Sequence, residues 1–324
     1  MRQRGIALLT AIILVAVAAI VATAIAWQSQ LAARRGSAAF TIAQSLALAE
    51  GAEALAAYAL QDNLQRTPNP PMGSNYPTPN HLGPVQIDSG GVSGVLEATV
   101  EDQTGKFNLN SVVTPAAGGA LPNQPIPLVK DQDGFTRFSV LLTNLNISAN
   151  YAARLVDWID TDDVPTFPDG AEDSFYLALQ PAHRTLNMPL TNISELLAMG
   201  MDRASYDKLA PFVTALPVAT KLNLCTASGE VLDAYAGQVS FSLDPKQLAG
   251  HRNQAACFPT VQDFQNSVVP NLWPTISGHI DSKSKYFRLR TWITIGTTRF
   301  TLYSLIYQDS NGQIRPIFRT FGTE

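Results

Sequence analysis

The sequence predicts an α+β protein in which a long N-terminal helix packs on a small antiparallel sheet that carries a large, mainly helical insert. Three observations lead to this prediction. The chain opens with an unbroken apolar block, 6–26, and has no proline in 6–67. Residues 286–320 alternate and are rich in aromatic and β-branched side chains, as antiparallel strands are. Between the first strand, 94–100, and these last strands, most of the sequence has helical patterns.

A short basic leader and one membrane-spanning segment begin the chain. Arg2 and Arg4 lie in residues 1–5, and residues 6–33 carry no charge. As a helix, the apolar block 6–26 would span roughly 30 Å, which is the thickness of a bilayer core. Because positively charged leaders stay in the cytoplasm, we expect the body of the protein to cross the membrane.

Three interpretations of this segment are open. A cleaved secretory signal needs a small-x-small site, which 22–24 or 24–26 supplies, but here helix-compatible sequence continues beyond it. An uncleaved anchor would have the same apolar block. The junction of Arg4, Gly5 and Ile6 resembles a type IV prepilin signal, which is cut before the apolar helix, between Gly5 and Ile6.

The first helix is expected to continue in amphipathic form over 36–62. Small and apolar side chains recur there at helical spacing, and such a face can lie close to a sheet or to other helices. These residues are Ala39, Ile42, Ala43, Leu46, Ala49, Ala54 and Ala57. Prolines then end the helix and form a linker. They are Pro68, Pro70, Pro71, Pro77, Pro79 and Pro84.

The segment 106–279 is expected to be mainly helical. Its clearest predicted helices are 148–159, with Ser148 as N-cap, 191–199 and 203–214. Short similar stretches at 106–110, 185–189 and 221–225 resemble parts of a helix-hairpin-helix nucleic-acid module. The net charge of −4 and the lack of a basic stripe favour a structural reuse of that scaffold over nucleic-acid binding.

The C-terminal region predicts a three-stranded antiparallel meander. Strands are expected at 286–295, 299–307 and 314–320. The turn signals between them are 296–298 and the Asn-Gly pair within 309–312.

Cys225 and Cys257 are the only two cysteines. In an exported body they predict one disulfide, and two buried thiols are the alternative. Without further soft ligands nearby, zinc is disfavoured. The segment between them, 226–256, has few large apolar residues, so we expect it to bury little core and to need the covalent constraint.

Several segments are similar to those of one known family. They are 5–9, 105–110, 155–160, 222–231 and 284–287. With the order of helix, strand, insert and meander, they make the whole chain resemble the K-type minor pseudopilins of bacterial type II secretion systems. The resemblance implies a pseudopilin fold divided into a leader 1–5, a helix 6–66 with its transmembrane part 6–26, a β region 67–105 and 280–324, and an inserted helical domain 106–279.

The resemblance also implies a function. Prepilin peptidase would cut between Gly5 and Ile6, the new N-terminus would be methylated, and the body would lie in the periplasm, anchored in the inner membrane. There the chain would form the tip of the pseudopilus with the I- and J-type minor pseudopilins. Most pilins carry Glu at the fifth mature position, where this chain has Thr10. A carboxylate in a membrane needs a partner, and a tip subunit has no neighbour above it to supply one.

A run of carboxylates after the predicted helix 148–159 is the candidate metal site. Seven acidic residues fall within 157–173, and Ca²⁺ takes six to eight oxygen ligands. If the loop folds back, the ligands would be Asp160, Asp162, Asp163, Glu172 and Asp173. The spacing is not that of an EF-hand, and a solvated acidic loop is the alternative. Resemblance to the K-type family, which holds calcium in its helical domain, favours the metal; 131–134 is a weaker candidate and is expected to be a turn.

Sequence motifs for catalysis are missing. The four histidines are dispersed, and the chain has no GxSxG, HExxH or phosphate-binding loop. We therefore expect a structural protein with no small-molecule substrate and no nucleic-acid partner. The alternatives are a membrane-anchored calcium-dependent hydrolase and a nucleic-acid binder of the DNA-uptake type.

Overall fold

The computed structural model describes residues 3–66, 80–89, 92–118, 126–255, 257–296, 298–309 and 311–322. Its helices, in chain order, are α1 (Gln3–Arg66), α2 (Gln132–Asn144), α3 (Asn150–Ile159), α4 (Asp173–Tyr176), α5 (Glu195–Ala198), α6 (Arg203–Leu209), α7 (Gly229–Ala236), α8 (Pro245–Gln254), α9 (Val261–Ser267) and α10 (Trp273–Ile276). Its strands are β1 (Asn80–Ser89), β2 (Val92–Asp102), β3 (Phe107–Asn108), β4 (Val113–Pro115), β5 (Leu128–Lys130), β6 (Val213–Thr214), β7 (Leu222–Asn223), β8 (Ile280–Asp281), β9 (Tyr286–Ile295), β10 (Thr298–Gln308) and β11 (Ile314–Phe321). Short 3-10 helices lie at Leu109–Val112, Ala210–Phe212, Pro270–Leu272 and Ser277–His279.

Five strands form one antiparallel sheet in the order β1-β2-β9-β10-β11. The C-terminal part of α1 packs on one face of it, because small residues on that helix allow a close approach. Ala49 lies with Ile293 and Leu302. Ala56 and Leu60 lie in a second cluster that includes Phe287, Leu289, Ile306, Ala98 and Val100.

The direction of α1 across the sheet follows from these two clusters. Ala49 is near Ile293, while Leu60, further along the helix, is near Val100 and Phe287. The chain leaves the sheet for the insert after Asp102 and re-enters it at Tyr286, which are close to these last residues. The insert therefore joins the sheet at the end that is far from the N-terminal part of α1.

The N-terminal part of α1 extends away from the sheet. Its large apolar side chains from Leu8 to Leu31 are exposed. By length and composition α1 could cross a membrane, with a mean hydropathy of 2.9 in its most apolar window. Gly5 and Ile6, the predicted cleavage site, lie on this helix, but their side chains are outside the described part of the structure.

The insert has its own apolar core between β2 and β9. Phe107 contacts Phe138 and Tyr235 in this core, with ring centroids 5.4 Å and 6.0 Å apart, respectively. The parallel pair β3–β6 connects the beginning of the insert to its middle, and the parallel pair β7–β8 connects the middle to the end. The core thus joins sequence from all parts of the insert.

The predicted fold class and the C-terminal meander are confirmed, but several details were wrong. Strand β1 was missed, because Pro84 was assigned to the linker; the linker prolines 68–79 are outside the described residues. Helix α2 was taken for a turn, because Asp131 is its N-cap and accepts a hydrogen bond from the Gly134 N–H.

Within the insert, the predicted helix ends were also wrong. The helix expected from Ser148 begins at Asn150, and no side chain caps it. The one expected over 191–199 is only α5, and the one over 203–214 ends as α6 and a 3-10 turn before β6. On α1, Ile42, Ala43 and Ala54 are exposed, while Ser45, Ala52 and Glu53 are buried instead.

The segment between the two cysteines contributes more core than expected. Val231, Leu232, Tyr235 and Ala236 of α7 are all buried in the main core of the insert. The prediction that 226–256 buries little core is therefore wrong, because small and medium-sized side chains on α7 supply it.

Candidate metal centre

Three carboxylates meet where α3 ends and α4 begins. Helix α3 places Leu155, Val156 and Ile159 in the core, and Asp160 is its C-cap residue. The chain then makes an excursion of about a dozen residues and returns with Glu172, the N-cap residue of α4. Ligand atoms of Asp157, Asp160 and Glu172 all lie within 4.8 Å of one another, and all three residues are buried.

Asp157 holds the returning loop in place. Both of its carboxylate oxygens accept the Thr166 N–H, at 3.0 and 3.1 Å. A Cβ added to Gly170 would lie 2.2 Å from Asp157 Oδ2 and 2.4 Å from the Thr166 nitrogen. Only glycine therefore allows the loop to approach Asp157 this closely.

Asp160 and Glu172 lack the hydrogen bonds that buried carboxylates normally have. Asp160 Oδ1 and both Glu172 oxygens are buried and have no hydrogen-bond partner among the residues that the structure describes. Their residues are each only 4% exposed. A buried charge without a partner is strongly unfavourable, so such oxygens indicate a site that a cation or protons complete.

Burial and mutual repulsion raise the pKa values of these groups. Burial, followed by the charges of Asp162 and Asp157, raises the pKa of Asp160 to about 7. Burial, followed by the nearby charges of Asp157 and Asp160, raises the pKa of Glu172 to about 8. Several carboxylates that each resist ionisation share one small volume, which is what a cation-binding site looks like without its cation.

Only two of the five predicted ligands lie at this centre. Asp162 and Asp163 are exposed; Asp162 accepts the Val164 N–H, and both add to the negative potential at Glu172. Asp173 points elsewhere, because its Oδ1 accepts hydrogen bonds from the N–H and hydroxyl of Thr185 at 3.0 Å. The weaker candidate 131–134, which was expected to be a turn, is the N-cap and first turn of α2.

Asp157 was missed by the sequence reasoning. It lies three residues before Asp160, and residues at this spacing share one face of a helix. That spacing was the available signal. All three converging side chains offer only carboxylate oxygens, a set that is typical of Ca²⁺ or Mg²⁺, whereas zinc sites usually include His or Cys.

The two cysteines form a disulfide in the structure. Cys225 and Cys257 are bonded, with their Cα atoms 4.6 Å apart. Buried Arg252 supports the same region by donating hydrogen bonds to the carbonyl oxygens of Leu224, Ala227 and Phe258. The bond therefore connects the start of the α7 region to the loop after α8.

Comparisons with known proteins agree on one family. The family model for protein K of the type II secretion system (T2SS) matches residues 105–218, which include the three carboxylates. The chain is 31% identical to type II secretion system protein K of Pseudomonas aeruginosa, over 99% of this chain and 93% of that protein. It is 34% identical to the protein of the same name from Klebsiella pneumoniae, over 99% of this chain and 95% of that protein.

A solved structure has the same fold. The chain matches one in the crystal structure of the GspK-GspI-GspJ complex from the enterotoxigenic Escherichia coli type 2 secretion system. The TM-score is 0.68 and the sequence identity is 24%, over 90% of this chain and all of that one.

Proposed function

Since the chain belongs to the type II secretion system protein K family and is thus a minor pseudopilin, we propose that it caps the tip of the pseudopilus. The position of the insert carries this proposal. The insert joins the sheet at the end far from the membrane-spanning part of α1. A domain of this size at that end would block the next subunit from stacking above it.

The partners in this complex would be the I- and J-type minor pseudopilins, as in the solved complex from E. coli. Support comes from α1, where Leu55 and Tyr58 are exposed by 56% and 65% beyond the membrane-spanning part. Exposed apolar side chains on a helix mark a surface that other subunits cover.

Co-purification of the three full-length proteins in detergent tests the assembly. We expect a one-to-one-to-one complex that is lost in a Leu55→Arg, Tyr58→Arg variant. Val239→Arg is the matched control, since Val239 is 55% exposed on the insert, away from α1. Labelled copies of this chain spaced evenly along the filament would contradict the tip position.

We further propose that the chain is processed between Gly5 and Ile6 and anchored in the inner membrane with its body in the periplasm. The basic leader and the unbroken helix behind it support this assignment. Mass spectrometry of membrane-extracted protein should give a mature N-terminus at Ile6. A start near residue 25 would instead indicate a cleaved secretory signal and a soluble body.

We propose that Asp157, Asp160 and Glu172 bind Ca²⁺. The three unpartnered oxygens of Asp160 and Glu172 support this assignment, and the exposed Asp162 and Asp163 would raise the local cation concentration. A bound cation would neutralise the repelling carboxylates and hold α3, the loop and α4 together, which is a structural role.

Thermal unfolding in calcium and in chelator tests the metal site. At ~100-fold excess over its dissociation constant, a ligand of the folded state adds about 2.7 kcal/mol. This gain should vanish in the Asp160→Asn, Glu172→Gln variant and persist in Asp169→Asn, which changes an exposed carboxylate of the same loop. An unchanged melting curve of the parent protein in calcium and chelator would refute the site.

A further inference from the structure

The face of the sheet that points away from α1 is rich in arginine and aromatic residues. Phe287, Leu289 and Ile293 of β9 pack towards α1, so the alternate residues point to the opposite side. Six residues define what we call the cationic sheet face. They are Arg290, Trp292, Arg299, Tyr303, Tyr307 and Arg315.

Cross-strand stacking holds these side chains in fixed positions. The Arg290 guanidinium lies 4.7 Å from the ring centroid of Trp292 and 5.0 Å from that of Tyr303. Arg299 lies over Trp292 at 5.6 Å, and Arg315 over Tyr307 at 5.7 Å. Rigid arginine and aromatic side chains lose little entropy when a partner binds.

The three arginines of the cationic sheet face form no ion pair within the described part of the chain. No carboxylate lies within 4.0 Å of Arg290, Arg299 or Arg315 there, and Arg290 Nε is buried without a hydrogen-bond partner. Two carboxylates of β2 share this face, since Glu97 pairs with Trp292 and Glu101 with Arg288 in the strand register. Glu101 also forms an ion pair with Lys106 at 2.7 Å. On a chain with a net charge of −4, this face is a local exception.

We propose that the cationic sheet face docks an acidic patch of a partner protein. Tyrosine, tryptophan and arginine are the residues that dominate binding energy at protein interfaces, and unpaired guanidinium groups favour carboxylates in bidentate geometry. Arg299 and Arg315 are exposed on the side opposite α1, whereas Tyr303 is buried, so packing of α1 against other pseudopilins would leave these two arginines accessible.

Photo-crosslinking in cells tests the proposal. In the full-length chain, the photo-crosslinker benzoylphenylalanine replaces Thr301, which pairs with Trp292 on this face. The control places the crosslinker at Lys208, which is exposed on the insert. We expect an adduct at position 301 whose partner peptide, identified by mass spectrometry, is rich in Asp and Glu. Adducts to lipid, or no adduct, would overturn the proposal.

Charge reversal makes the test specific. The double change Arg299→Glu, Arg315→Glu should lower the adduct yield by ~10-fold or more, since few anchors carry most of an interface's energy. Reversing the acidic residues of the partner peptide to Lys should restore it. Arg203→Glu is the matched control, because Arg203 is also an exposed arginine, 5.4 Å from the ring of Tyr206.

Two readouts separate this proposal from folding and from tip assembly. The reversed variants should keep the melting temperature of the parent and should still co-purify with the other two minor pseudopilins. Loss of the adduct with intact assembly supports the cationic sheet face as a separate docking surface. An adduct that charge reversal does not weaken would show that the carboxylate–guanidinium contact is wrong.

Discussion

Gly170 is a single residue on which the geometry of the carboxylate centre depends. A methyl group there would overlap Asp157 Oδ2 and the backbone of Thr166. We expect Gly170→Ala to destabilise the insert by about 1–3 kcal/mol, the usual cost of forced overpacking, and to weaken calcium binding. Thermal unfolding with and without calcium measures both effects.

Gly278 supplies the control for this change. A Cβ at Gly278 would meet no atom within 4 Å. Gly278→Ala should therefore leave stability and calcium response within about 0.5 kcal/mol of the parent. Equal effects of the two substitutions would show that the loop adapts and that Gly170 has no special role.

The raised pKa values of Asp160 and Glu172 predict how stability depends on pH. Between about pH 5 and pH 8 these groups hold protons in the folded state that the unfolded chain has already released. Without metal, their contribution to the free energy of unfolding therefore falls as pH rises through this window. Calcium requires the ionised carboxylates, so its stabilising effect should grow over the same window.

Melting temperatures at several pH values, in chelator and in calcium, check this dependence. Burial lowers the pKa of His279, so its contribution to the free energy of unfolding depends on pH with the opposite sign. The difference between the parent and the Asp160→Asn, Glu172→Gln variant isolates the carboxylates. A difference that is flat with pH in chelator would contradict the assignment of the raised pKa values.

At this scale the sequence located the acidic loop but not all of the carboxylates that converge in it. Composition alone identifies seven carboxylates within 157–173. Which of them converge depends on where α3 ends and on the Thr166 N–H that Asp157 accepts. In the sequence, Asp173 has the same carboxylate chemistry as the adjacent Glu172, but its Oδ1 accepts a hydrogen bond from the Thr185 N–H. These two residues are twelve positions apart, so no local sequence pattern reveals this contact.

At the scale of elements, an ion pair between buried Glu53 and partly exposed Arg319 holds α1 on the sheet. Glu53 of α1 accepts hydrogen bonds from Arg319 Nε at 3.0 Å and Nη2 at 2.7 Å, and from the Ser304 hydroxyl at 2.6 Å. We expect Glu53→Ala to cost about 2 kcal/mol or more, since charge-assisted hydrogen bonds are lost. Proteolytic susceptibility between α1 and β1, and thermal unfolding, measure the loss.

Glu50 is the matched control for this pair. It lies 3.7 Å from the same arginine but is about half exposed. Glu50→Gln should therefore change stability by less than about 1 kcal/mol. If both substitutions have the same small effect, α1 is held by its apolar contacts alone.

The disulfide constrains the second half of the insert. Cys225 and Cys257 are 32 positions apart, and closing such a loop contributes about 3–4 kcal/mol in the chain-entropy model. Replacing both with serine should make α7 and α8 exchange amide hydrogens faster, while the meander β9–β11 keeps its protection. Two reactive thiols in the unfolded, unreduced protein would show that the bond does not form.

Element prediction succeeded where the pattern was long and failed where it was short. The continuous helix and the alternating strands β9 and β10 are evident from period alone. Helices α4 and α5 have only four residues each, and tertiary contacts decide whether so short a turn becomes helical. Strand β1 contains Pro84 and is an edge strand, where proline is tolerated.

At the scale of the whole molecule, a small polar junction connects the sheet with the insert. Buried Asp102, the last residue of β2, accepts the Thr104 N–H and the hydroxyl groups of Thr226 and Ser284. Thr226 belongs to the middle of the insert and Ser284 to the crossing back into β9. One carboxylate therefore joins both crossings of the chain and the body between them.

Because Asp102 joins both crossings of the chain to the body of the insert, the junction should unite the sheet and the insert in one cooperative unit. We expect the parent to unfold in a single transition and Asp102→Ala to unfold in two, because the buried Thr104 N–H loses its acceptor and two hydroxyl groups lose theirs. Calorimetry of the full-length chain in detergent distinguishes the cases, with the exposed edge residue in Asp88→Ala as control. If Asp102→Ala unfolds in one transition at the same temperature as the control, the hydrogen bonds of Asp102 do not couple the sheet to the insert. The coupling would then come from the close packing of Gly105 on the backbone of Thr226. A Cβ added to Gly105 would lie 2.8 Å from the carbonyl carbon of Thr226.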